Sequence, residues 1–210
     1  MKKTILSVIT LFLILIVAGI IIFAVKNTFS LVKGKKNTKE EVKKTPQVDT
    51  IDKYGYTLFD SKPKAYKEKF SELKEVLNKE EVDDKEYAKL VAELFVIDFY
   101  DLNSKVSNTD IGGLDFIHKD AKEDFVKTSE DTIYKYIESN VYGGRKQELP
   151  VVTSAEATIT ETNYQGKKVQ DENAYIAEVD ITYKKDLKYP TKVSLTIVHD
   201  EKKLYVVVIK

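Results

Sequence analysis

Protein chemistry needs groups that move protons, hold metals or attack carbonyls, and this chain carries few of them. It has two histidines and no cysteine in 210 residues. That rules out a cysteine-histidine pair and makes a zinc site a poor fit, because structural zinc takes four nitrogen or sulfur ligands. It also leaves no basis for a serine-histidine-aspartate arrangement. The sharpest acid-base candidate is Asp98. It sits in the apolar run LFVIDFY (94–100), four positions from Leu94 and four from Leu102. A carboxylate on an apolar face loses hydration, which raises its pKa and suits a general base. The plainer role is to accept hydrogen bonds from loop N–H groups or a tyrosine hydroxyl, and this is the reading carried forward.

His118 is the second candidate. It lies in the loop VSNTDIGGLDFIHK (106–119) with Asp110 and Asp115, where it could act as a ligand or proton shuttle. The spacing D-I-G-G-L-D is not that of an EF-hand, and capping of turns is the ordinary use of such aspartates. Gly112 and Gly113 permit backbone conformations closed to other residues, or the close approach of another segment. They do not form a phosphate loop, since neither G-x-x-x-x-G-K-[ST] nor G-x-G-x-x-G occurs. Asp110, Gly112 and Gly113 are therefore read as structural loop residues. No metal or cofactor is expected, and Asp98 and His118 remain weak catalytic candidates in a chain expected to be non-enzymatic. Tyr54, Tyr56, Tyr142, Tyr164 and Tyr189 fall in expected loops, where tyrosine suits protein contacts as well as ordinary packing.

These residues need elements to position them. Asp60-Ser61-Lys62-Pro63 reads as a helix start, and Tyr66, Phe70, Leu73 and Leu77 then make one apolar stripe, giving a helix over 63–79. Asp83 with Glu86 three positions on is a capping-box pattern. It opens a second helix whose Tyr87, Leu90, Val91, Leu94, Phe95 and Leu102 share a face; around 94–100 it is apolar nearly all round, so it is the central helix. Asp120 with Glu123 predicts a third helix over 121–140. After Pro150 the apolar period changes to 2, with strands expected over 151–162, 175–184, 192–199 and 204–209. Residues 163–173 are expected as a loop and 51–59 as an aromatic lead-in segment. Three helices before an antiparallel meander make an α+β domain, helices covering one face of a four-stranded sheet.

The N-terminus sets a location. Residues 5–25, ILSVITLFLILIVAGIIIFAV, contain no charge, and at about 1.5 Å per residue they span roughly 30 Å as a helix, the hydrocarbon thickness of a bilayer. The run is longer than a signal-peptide core and lacks a good cleavage site after it, so an uncleaved single-pass signal-anchor is expected. The organisation read is a short flank at 1–4, a transmembrane helix at 5–25, a charged linker at 26–50 and a soluble domain at 51–210. Lysines follow the span closely, yet a short lysine-bearing N-terminus also begins secretory signals, and large domains translocate despite flanking charge. The orientation expected is N-terminus inside, with the C-terminal domain extracytoplasmic at the cell membrane. Although the whole chain is neutral, residues 51–210 hold 25 basic and 31 acidic side chains, a balance of −6. Such a domain is a poor nucleic-acid binder.

The order of one span, a helical first half and a four-stranded sheet resembles the NTF2-like, cystatin-like cone folds. More specifically it resembles the periplasmic domains of VirB8-type proteins, assembly factors of secretion and conjugation machines. The resemblance covers the order of elements and no diagnostic motif. It implies a membrane-anchored, protein-binding scaffold with other cell-envelope proteins as partners. The alternative is a tethered enzyme or small-ligand domain using a buried carboxylate. The sequence sets no oligomeric state.

Overall fold

The structure is a computed structural model that describes residues 46–167 and 169–210. The expected span at 5–25, its flank and the linker to 45 lie outside the described residues. Among those described, no helix is long and apolar enough to cross a membrane.

The chain enters as a hairpin, β1 (Gln47–Ile51) and β2 (Tyr56–Phe59), so residues 47–50 of the expected linker belong to a strand. The pair is antiparallel, with Ile51 opposite Tyr56, and Gly55 supplies the positive φ of 67° at the turn. Helix α1 (Lys64–Leu77) buries Tyr66, Phe70, Leu73 and Leu77. Helix α2 (Asp84–Tyr100) begins where Asp83 Oδ1 accepts the N–H groups of Lys85 and Glu86, at 3.0 and 3.1 Å. Every α2 residue from Tyr87 to Tyr100 except Lys89 is buried. It lies across the sheet and touches all four strands, with α1 against its other side.

The sheet is an antiparallel meander of β3 (Val152–Gln165), β4 (Gln170–Tyr183), β5 (Lys192–Asp200) and β6 (Lys203–Ile209), in that order. Ala155, Ala177, Val179, Ile181, Val193, Leu195 and Ile197 face the helices and are buried, following the two-residue period. Three helices thus pack on a four-stranded antiparallel sheet, the α+β arrangement expected.

Two further expectations, both about element bounds, fail. Residues 163–173 are not a loop: β3 and β4 stay paired out to Gln165 and Gln170, past a register shift at Thr162/Tyr164. The third helix, α3 (Lys122–Asp131), is half the expected length, and Ala121 caps it without a side-chain bond, so the Asp120–Glu123 box does not form. The helix stops because Tyr134 turns inward. Its ring is fully buried, and its hydroxyl donates to Phe99 O at 2.7 Å and accepts Gly112 N–H at 3.1 Å. Thr132 leaves helical geometry, with φ −121° and ψ −103°, to allow this. Tyr136, two residues on, is 76% exposed.

Candidate functional site

Asp98 lies in the last turn of α2, 5% exposed. Oδ2 accepts from Lys62 Nζ and from Gly113 N–H, each at 2.7 Å, and Oδ1 accepts from Lys105 Nζ at 2.8 Å. Burial alone would raise its pKa. The Lys105 and Lys62 ammoniums and the Gly113 N–H outweigh burial and hold the carboxyl at about 2. A group so acidic and so fully bonded is a poor proton acceptor at neutral pH. What it does is join three segments: the β2–α1 connection through Lys62, the chain after α2 through Lys105, and the Gly112–Gly113 loop.

The two glycines are needed for that closure. A Cβ on Gly112 would stand 2.0 Å from the Asp98 carbonyl oxygen, and one on Gly113, at φ +78°, would stand 2.7 Å from the Phe95 ring. Asp110 accepts Val106 N–H at 2.9 Å and closes the start of the same loop. The sequence pointed to Asp98 and the glycines but to neither lysine. Asp101 carries no such sequence signal. Burial pushes its carboxyl up to about 6 against the opposing pull of Lys105, and its Oδ1 has no hydrogen-bond partner. Glu93 is fully buried on α2. Its Oε1 accepts Ala157 N–H on the outer edge of β3 at 3.0 Å, and its Oε2 lies 3.0 Å from Lys69 Nζ without hydrogen-bond alignment. Burial raises Glu93 more than its partners lower it, whereas Lys69, which burial alone would depress, is lifted to about 12 by pairing with Glu93 and Glu72. The pair seals a strand edge at a net electrostatic cost to the carboxylate.

His118 does not join Asp110 or Asp115 in a ligand set, and among the described residues no group of His, Cys, Asp and Glu could hold a metal. Its ring is buried edge-on to Tyr205, with centroids 5.6 Å apart. Asp120 N–H donates to Nδ1 at 3.3 Å, so the neutral ring carries its proton on Nε2, 3.2 Å from Asp200 Oδ2. Its backbone closes the sheet edge: Val206 N–H donates to Phe116 O at 2.7 Å and His118 N–H to Val206 O at 3.3 Å, a parallel bridge.

The five tyrosines divide. Tyr54 and Tyr56 are core residues, 7% and 1% exposed, and the Tyr56 and Tyr87 hydroxyls share a 2.7 Å hydrogen bond. Burial removes both from any contact surface. Tyr164 and Tyr189 are half-buried and Tyr142 is 91% exposed.

Of the concave regions among the described residues outside the Asp98 cluster, two adjoin groups suited to binding. The first is a trough between α3 and β6. It is made of two adjoining hollows of about 250 Å³ each, sharing Ala121, Asp124 and Val207. One runs over Phe125, Thr128 and Ile209, and the other reaches Tyr164 and Gly166 at the tip of the β3–β4 ribbon. Lys210 and Ser194 exchange both backbone hydrogen bonds, at 2.9 and 3.0 Å. By antiparallel alternation the N–H and C=O of Ile209 then point outward, along the trough side of β6. The second region is a cleft of about 460 Å³ at His199, lined by Asp84, Glu161, Asp171, Glu172 and Tyr175. There Asp171 Oδ2 accepts the His199 backbone N–H at 2.7 Å and meets Nδ1 at 2.8 Å. Nε2 lies 3.8 Å from Asp84 Oδ2.

No family model matches the chain, and no curated protein or solved structure matches it.

Proposed function

We propose that the chain is a single-pass membrane protein whose NTF2-like domain binds other proteins as an assembly or scaffold component of a cell-envelope complex, secretion or conjugation machinery being the kind the element order resembles. The observation that carries the binding reading is the trough beside β6. Beyond the stretch of edge that residues 116–118 close at Val206, the outward N–H and C=O of Ile209 stand next to an apolar furrow, which suits an extended segment of a partner that hydrogen-bonds there and seats side chains in the furrow. The anchor rests on the uncharged run at 5–25, and the acidic balance of 51–210 argues against a nucleic-acid partner.

The Asp98 arrangement weakens the enzymatic alternative, because its carboxylate is ionised, buried and bonded on both oxygens. A small-ligand reading draws instead on the His199 cleft, whose carboxylates suit a cationic or polyhydroxylated compound.

The trough reading is tested with Val207→Lys in the full chain, at a half-buried position on the trough wall. Envelope proteins that co-purify with the parent from detergent-solubilised membranes should be lost from the variant while its melting temperature holds. Unchanged co-purification would remove the trough from the account.

A further inference from the structure

We infer that the loop between α3 and β3 docks on an anionic lipid surface, holding the domain against the bilayer that anchors it. Among the described residues the large apolar side chains that stand exposed are Val48, Val106, Tyr136, Val141 and Tyr142, and all but Val48 belong to this one region. Tyr136, Val141 and Tyr142 lie on the loop itself, at 76%, 56% and 91% exposure. Val106 is brought beside them by the 2.7 Å hydrogen bond from Asn140 N–H to Val106 O.

The tip is a glycine turn that follows the exposed Tyr142. Gly143 and Gly144 have φ of 76° and 83°, and a Cβ on either would meet nothing within 4 Å. The base, by contrast, is braced. The Arg145 guanidinium donates to the carbonyls of Asn103 and Lys105, each at 2.8 Å, and Gln147 binds across the loop to Tyr136 O and Glu138 N, at 2.8 and 2.9 Å. Tertiary structure is therefore spent on presenting tyrosine and valine to the outside, which is preorganisation for a surface that buries them.

Charge selects the surface. The loop, residues 132–151, carries Lys135, Arg145 and Lys146 against Glu138 and Glu148, a balance of +1 in a domain whose balance is −6, and Glu148 is paired with Lys185. Arg145 is satisfied by carbonyl oxygens, so its charge persists. Lys135 Nζ stands 5.4 Å from the Tyr136 ring centroid. Tyrosine tips seat at the boundary of headgroups and acyl chains, lysine stems run along apolar surface with their ammoniums in the headgroups, and anionic lipid attracts the basic flank. A tether in the same membrane raises the local concentration of that surface, so a weak contact suffices.

This inference rests on the anchor proposed above, and the test separates the two. The chain has no tryptophan, so Tyr142→Trp gives the full-length protein one fluorescent reporter at the loop tip. It is reconstituted into nanodiscs of phosphatidylcholine alone or with phosphatidylglycerol, with and without brominated acyl chains. Elution with the discs reads the anchor; a chain that elutes apart from them overturns anchor and docking together. With the chain in the discs, docking predicts blue-shifted emission and strong quenching by brominated lipid when phosphatidylglycerol is present. Lys135→Glu with Lys146→Glu should lose both signals, and high salt should weaken them. Emission that stays red-shifted and equally open to acrylamide in both discs overturns the docking while leaving the anchor intact. Acrylamide protection without brominated-lipid quenching marks a protein contact, such as a second copy, and also overturns it.

Discussion

Replacing Asp98 by asparagine should destabilise the domain by about 3–5 kcal/mol, the usual cost of stripping a buried ion of its partner. The size follows from what is left behind. Lys105 is 5% exposed and its ammonium has Asp98 as counter-ion at 2.8 Å, so it cannot recover full hydration without moving the chain after α2. Lys62 is freer, its side chain 19% exposed, and should turn to water at small cost. The asparagine oxygen can still accept from Gly113 N–H. Leucine cannot, and an unpaired buried donor adds about 1–3 kcal/mol. At about 2–4 °C per kcal/mol for a domain of this size, asparagine should lower the melting temperature by roughly 6–20 °C, and leucine by more. Fragment 46–210, which contains the described core, would be followed by calorimetry and far-UV circular dichroism. Adding Lys105→Met to Asp98→Leu should restore stability, since an apolar pair in place of a buried ion pair is often neutral or better. An asparagine variant melting within about 1 °C of the parent, or effects of Asp98 and Lys105 that simply add, would refute the reasoning.

The loop itself should be as sensitive as the carboxylate. Gly112→Ala pushes a methyl into the Asp98 carbonyl and should cost several times more, by denaturant midpoint, than Gly143→Ala, whose surroundings are open and whose positive φ costs about 1–2 kcal/mol. Acid should first stabilise and then destabilise. Asp101 is raised from 3.8 to about 6, so the native state gains protons before the unfolded state as pH falls from 7 to 4, worth about 3 kcal/mol at 1.36 kcal/mol per unit. Asp98 is depressed from 3.8 to about 2, so its contribution of about 2–3 kcal/mol holds above pH 4 and is lost as pH falls through 2. Thermal melts of Asp101→Asn should therefore be flatter between pH 7 and 4 than those of the parent; equal slopes would contradict the assignment.

The parts of the fold visible in the sequence are those where local pattern and tertiary demand agree. Helices α1 and α2 and the central stretches of β3 to β5 follow the apolar period, β6 shows as a short apolar run, and Asp83 caps where its spacing says it should. The failures occur where one side chain overrules the pattern. Tyr134 ends α3 early because burying its ring and bonding Phe99 O and Gly112 N–H outweigh two more helical turns of modest amphipathicity. The ribbon beyond Tyr164 is polar on both faces, so no alternation announces its pairing. At the candidate site, Asp98 and the paired glycines were legible as a charge out of place and a backbone out of the ordinary. Lys62 and Lys105 looked like any surface lysines in a lysine-rich chain, and only the fold brings them to one carboxylate. Glu93 and Asp101 carry no local signal that distinguishes them from exposed acids.

The proposal that a membrane-tethered domain holds a partner protein along β6 requires contact at that strand in the membrane. The most direct measurement places a photo-cross-linking residue at Val207 in the full-length chain, in its own membranes, with a second at Thr158 on the exposed face of β3 as control. The cross-linked chain should stay in the membrane pellet through alkaline extraction, and Val207, not Thr158, should yield one discrete heavier adduct with another envelope protein. A chain released into the supernatant, or a Val207 pattern no different from that of Thr158, would contradict it.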